Sequence, residues 1–194
     1  STFSGRITIP ANQTFTVASG KTWHTRNGFV VNGTLNVALN GSLTNETTTV
    51  GVSGSGTVVF SGAAPSPTSD AWWKNANWTG TVQMKGVTLV GTSLEFNKYG
   101  NAGSVLELNG CSGWLTPNYT CTVPLKITGT LSLEDGYSGA GQAFKVGTLL
   151  GSGTISGSSN APTMVFNVTD DWSGFTGGIG LNDSKCVVRS EERR

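Results

Sequence analysis

The chain has 194 residues, enough for a domain with a real core, and only 12% of them are charged. Its formal net charge is +1, so it lacks the basic excess that gathers nucleic-acid phosphates or anionic lipid headgroups. Its 28 glycines, with abundant Thr, Ser and Asn, favour strands and turns, and no stretch of a dozen residues has helical apolar spacing.

No apolar run reaches the ~18–20 residues of a membrane-spanning helix. No basic segment followed by an apolar core marks an export signal. The chain opens on Ser1 rather than Met and reads as a mature or excised segment.

Taken in chain order, short alternating segments recur. They are Ile7-Thr8-Ile9, Phe15-Thr16-Val17, Leu35-Asn36-Val37, Val82-Gln83-Met84, Leu106-Glu107-Leu108, Leu125-Lys126-Ile127, Leu131-Ser132-Leu133 and Ile179-Gly180-Leu181. Each sends apolar groups to one face and a polar or small residue to the other, as a half-buried strand does. Asn27-Gly28, Asn32-Gly33, Asn40-Gly41 and Asn109-Gly110 supply positive φ for tight turns between them. Ala63 to Asp70, with Pro65 and Pro67, is expected to be a surface loop, because proline cannot donate to a strand ladder; Gly157 to Pro162 is its counterpart. The charged end, Arg189 to Arg194, reads as a solvated tail or a junction. The fold class is therefore all-β, as a solenoid, sandwich or barrel.

An internal match narrows this. Gly54-Ser55-Gly56-Thr57-Val58 recurs as Gly151-Ser152-Gly153-Thr154-Ile155, and Trp78-Thr79-Gly80-Thr81-Val82 as Phe175-Thr176-Gly177-Gly178-Ile179, both 97 residues on. Gly33-Thr34-Leu35 recurs 96 residues on as Gly129-Thr130-Leu131. Collinear matches at nearly one offset indicate duplication, with pseudo-repeats at 1–97 and 98–188 and a tail at 189–194. The matches fall on strand starts and on an aromatic, Trp78, expected to plug the core.

These residues resemble the repeats of large surface β-solenoid proteins, such as autotransporter passengers and adhesins, as does the opening Ile7 to Val17. The resemblance implies a right-handed parallel β-helix at the cell surface and carries no catalytic residues. Three cysteines and six tryptophans are more than such passengers usually have, which keeps a β-sandwich or jelly roll open as the alternative.

Cys111 and Cys121 bracket a loop rich in turn formers and are expected to form a disulfide, which leaves Cys186 over. Asn-X-Ser/Thr sequons occur at Asn12, Asn32, Asn40, Asn45, Asn77, Asn118, Asn167 and Asn182. Asn32 and Asn40 read equally well as turn residues. Asn12, Asn45, Asn77, Asn118, Asn167 and Asn182 are the candidate glycan sites.

No catalytic constellation is legible. His24 is the only histidine and has no triad partners in view. No Cys-X-X-Cys or phosphate loop is present. The adjacent acids Glu134-Asp135 and Asp170-Asp171 point to opposite faces if on strands, so neither is a glycosidase pair; calcium at such turns is a minor reading. No metal or cofactor is expected. Trp72, Trp73 and Trp114 are candidate contacts for protein or for sugar, whose rings stack on exposed aromatics.

The expected function is non-enzymatic: an extracellular or surface structural subunit, glycosylated and self-associating as a homo-oligomer or polymer, with no nucleic-acid partner and no membrane insertion. The apolar start, Phe3 to Ile9, can add as a strand to a neighbour's edge. The alternative is a carbohydrate-binding or adhesive module. A lyase of the β-helix type requires clustered acids and a base on one sheet face.

Overall fold

The computed structural model of the chain describes residues 2–3, 5–45, 51–62, 75–90, 95–115, 118–133, 143–157, 164–181 and 186–190. It is a parallel β-solenoid of about six turns. Every strand pairing among the described residues is parallel. The sandwich and jelly-roll alternatives are therefore set aside, because both are built from antiparallel strands.

One long sheet runs the length of the molecule. Its rungs include Thr14–Val17, Thr34–Val37, Thr57–Ser61, Thr81–Lys85, Val105–Asn109, Leu125–Thr128, Ala143–Gly151 and Met164–Asp171. Register sets the turn length. Thr14, Thr34, Thr57, Thr81 and Val105 lie side by side, as do Leu106, Leu125 and Leu149, so successive turns take 20, 23, 24, 24, 19 and 24 residues. The sheet passes residue 97 unbroken, from Thr81–Lys85 to Val105–Asn109.

All eight alternating segments of the sequence lie in strands. Stacking converts their alternation into two inward rows on the long sheet. One runs Leu35, Val58, Val82, Leu106, Leu125, Leu149; the other runs Val37, Phe60, Met84, Leu108, Ile127. Every one of these side chains is buried. Full burial of each such side chain contributes about 1.5–3 kcal/mol, which is what holds short strands together here.

Two other sides close the coil. In the first turns they are Thr2–Phe3, Thr22–Thr25, Ser42–Asn45 on one side and Ile7–Ile9, Phe29–Val31, Val52–Ser53 on the other. Later, Thr88–Val90, Ser112–Trp114, Thr130–Leu133, Thr154–Gly157 and Gly178–Leu181 form a second sheet. The third side holds Thr120–Cys121, the front half of Ala143–Gly151, Met164–Val168 and Cys186–Ser190. A 3-10 turn, Phe96–Tyr99, precedes this last set, and Phe96 packs edge-on against Phe144 at 5.5 Å. Ala143–Gly151 and Met164–Asp171 bend round a corner at a register shift after Val146.

Since the strands are parallel, the Asn-Gly pairs turn corners rather than close hairpins. Gly28 and Gly110 take positive φ (76° and 63°), and at Asn40-Gly41 it is the asparagine that does so, at 62°. Asn32-Gly33 takes no positive φ. Gly33 is required for another reason: a Cβ there would overlap the carbonyls of Pro10 and Gln13 in the turn before.

The internal match is a repeated corner. Gly54 and Gly151 share φ near 100° (105° and 102°). Gly54 N–H donates to Asn77 O and Gly151 N–H to Gly174 O; Thr79 N–H donates to Gly54 O and Thr176 N–H to Gly151 O. A Cβ on Gly56 would overlap the Gly33 carbonyl, and one on Gly153 the Gly129 carbonyl. Trp78 is fully buried, as the sequence implies, and Phe175 packs partly buried against the core. Yet Thr57 starts a strand of the long sheet while Thr154 starts one of the second sheet. The offset of 97 spans four turns plus one side, so the motif belongs to corners and not to one fixed sheet.

Candidate functional site

A charged cluster on the outer face of the long sheet forms where Gln83, Glu107 and Lys126 stand in register on adjacent strands. Gln83 Nε2 donates to Glu107 Oε1 at 2.6 Å, Thr128 Oγ1 donates to the same oxygen at 2.6 Å, and Lys126 Nζ meets Oε2 at 3.2 Å. Burial pushes the Glu107 carboxyl up, but the bonds from Thr128 and Gln83 and the charge of Lys126 outweigh it and hold it below the usual range. Both oxygens are engaged and no second carboxylate faces them among the described residues. These bonds tie three adjacent rungs together as a polar staple. Its residues are the centres of three alternating triplets, visible in the sequence. That they touch follows only from register.

The expected disulfide does not form. Cys111 and Cys121 are free and buried. Each thiol donates to a different carbonyl, Cys111 Sγ to Met84 O and Cys121 Sγ to Val123 O, both at 3.3 Å. The segment between them follows the coil from the end of a long-sheet strand, through Ser112–Trp114, to the third side, so the two sulfurs serve different corners. Burial pushes the Cys121 thiol up to about 12 and raises that of Cys111. Cys186 opens a strand paired with Met164.

The sequons separate by exposure. Asn12, Asn77 and Asn118 are exposed, and Asn12 and Asn118 sit in left-handed turn conformations (φ 62° and 55°). Asn167 is buried at 5% exposure, so the folded chain has no room for a glycan there. Asn45 ends a strand, its side chain outside the described residues. Asn182, Trp72 and Trp73 lie outside the described residues, as do the Pro-containing loop and Glu134-Asp135. Trp114 ends a strand, with its side chain likewise outside. Asp170 and Asp171 are exposed, and Asp171 Oδ1 accepts the Ser173 N–H. Among the described residues no group of three or more His, Cys, Asp or Glu is placed to hold a metal.

The ends of the coil are the most distinctive surfaces, and alternation alone did not flag them. Phe15 continues the inward row of Leu35 one turn earlier, yet is 43% exposed while Leu35 is 0%. At the other end Ile179 continues the row of Ile155 and is 39% exposed while Ile155 is 0%. Trp172, also in the last turn, is 40% exposed. Both ends thus show core-type side chains to water, and among the described residues both have strand edges with a neighbour on one side only. Large exposed apolar groups and open edges together mark contact surfaces.

No family model, curated protein or solved structure matches the chain.

Proposed function

We propose that this chain is a non-enzymatic structural protein of an extracellular or cell-surface fibre, glycosylated at exposed sequons and built by self-association. The observation that carries this reading is the pair of open inward rows, Phe15 above Leu35 and Ile179 below Ile155. A solenoid gains a rung's worth of apolar burial and edge hydrogen bonds whenever a matching rung covers such an end. The glycan part rests on the exposure of Asn12, Asn77 and Asn118. Sedimentation velocity and electron microscopy over a rising concentration series test the assembly. Elongating particles support it, and a monomer at every concentration counts against it.

A further inference from the structure

Each end of the solenoid presents one rung of three strands. At the start these are Thr2–Phe3, Ile7–Ile9 and Thr14–Val17, each paired with one following strand. At the finish they are the tail of Met164–Asp171, then Gly178–Leu181 and Cys186–Ser190, each paired only with a preceding strand among the described residues. Chain order matches the two rungs side for side. The strand following the long sheet is Thr22–Thr25 after Thr14–Val17, and Thr154–Gly157 after Ala143–Gly151. By that order Thr2–Phe3 corresponds to Gly178–Leu181, Ile7–Ile9 to Cys186–Ser190, and Thr14–Val17 to the end of the long sheet.

The two ends also differ in charge. Arg6 in the first rung is exposed, as are Lys21 and Arg26, which flank Thr22–Thr25 in the rung behind it, and residues 1–45 contain no acid. In the last rung Asp170 and Asp171 are both exposed, and Cys186–Ser190 adds one base, Arg189. Over residues 164–194 acids outnumber bases five to four. The Asp171 carboxylate accepts the Ser173 N–H at 2.8 Å, which favours its charged form.

We infer that copies of this chain join head to tail, the first rung of one on the last rung of the next; this rests on the self-associating reading above. Only that joint keeps strands parallel across it and continues all three sides at the ~4.8 Å strand spacing. Joining like ends runs the strands antiparallel and sets Arg6 against its own copy, or Asp170 and Asp171 against theirs. Opposite end charges steer the encounter within the ~8–10 Å reach of electrostatics at physiological salt. A joint between two different surfaces does not close on itself, so the product is a polar filament.

The test blocks one end at a time in the full chain. Phe15→Asp blocks the first rung and Ile179→Asp the last, and circular dichroism confirms that each is folded. Sedimentation velocity is expected to find each variant monomeric where the wild type polymerises. An equimolar mixture is expected to stop at dimers, because a single intact joint remains between the two species. Should either variant unfold, charge reversal at exposed positions replaces it. R6E/K21E/R26E and D170K/D171K are each expected to weaken assembly at least tenfold, and their mixture to restore it. Dimers of either blocked variant alone overturn the polarity, because they need like ends to meet, and so does assembly indifferent to both sets of changes. A wild-type chain that never assembles instead overturns the self-association beneath it.

Discussion

Phe15 and Leu35 are direct neighbours across two strands of the long sheet, pointing the same way, and yet Phe15 is 43% exposed and Leu35 wholly buried. Val17, two residues on in the same end strand, is wholly buried, so the exposure is particular to Phe15. The molecule thus has two kinds of apolar position, buried ones such as Leu35 and largely exposed ones such as Phe15.

The first prediction separates those kinds. Leu106→Ala removes a side chain covered on both sides by Val82 and Leu125 and is expected to cost about 2–5 kcal/mol in urea unfolding. Phe15→Ala is expected to cost the monomer less, because much of the ring is already in water. Equal losses at the two sites contradict the open-end description.

Corner glycines should be intolerant in matched pairs. Gly56→Ala and Gly153→Ala each drive a Cβ into the backbone carbonyl of the turn before, and each is expected to lose about 1–3 kcal/mol or more. Gly5, with nothing within 4 Å of its added Cβ, serves as the control. Thermal unfolding that leaves Gly56→Ala at the Gly5→Ala midpoint argues against the stacked corner.

Acid should act through Glu107. Its folded carboxyl sits below the ordinary value of 4.5 because hydrogen bonds and Lys126 outweigh the cost of burial. A depressed folded value means that the stabilisation is complete above the unfolded value and is lost as pH falls below it through the folded value. Glu107→Gln is expected to lower stability at pH 7 and to flatten the decline between about pH 5 and pH 3. A variant whose acid limb overlays the wild type removes this role.

Thiol chemistry gives a direct check on the correction at Cys111 and Cys121. Burial raises both thiols, so neither presents thiolate at neutral pH. Alkylation of the native protein at pH 7.5, read by peptide mass spectrometry, is expected to spare both. Alkylation after unfolding without reductant is expected to label both. A linked Cys111–Cys121 peptide is the contrary result.

Glycan occupancy should follow exposure. Chain secreted through a glycosylating pathway and recovered folded is expected to carry glycans among Asn12, Asn77 and Asn118 and none at Asn167. Folded material modified at Asn167 contradicts the burial found there.

Much of the fold was legible in advance. Period-two alternation placed all eight segments in strands, because side-chain direction in a strand is a local property, and the internal match with Phe175 placed Trp78 in the core. The Gly-Ser-Gly match pointed to a repeated unit, and the structure repeats its hydrogen bonds one by one. The disulfide expectation failed because spacing along the chain does not reveal that the coil carries Cys111 and Cys121 to different corners. The Gln83–Glu107–Lys126 staple stayed hidden for the same reason, its members being 24 and 19 residues apart.

By itself, then, the sequence determined strand identity, the glycine-bearing corners and the absence of a charge excess, all consequences of backbone preference and composition. Only the tertiary structure decided which strands are neighbours, which side each repeated corner occupies, and that Phe15 and Ile179 stand uncovered. Those depend on turn lengths that vary from 19 to 24 residues. Register is set by the sum of all preceding turns, and no single segment contains it.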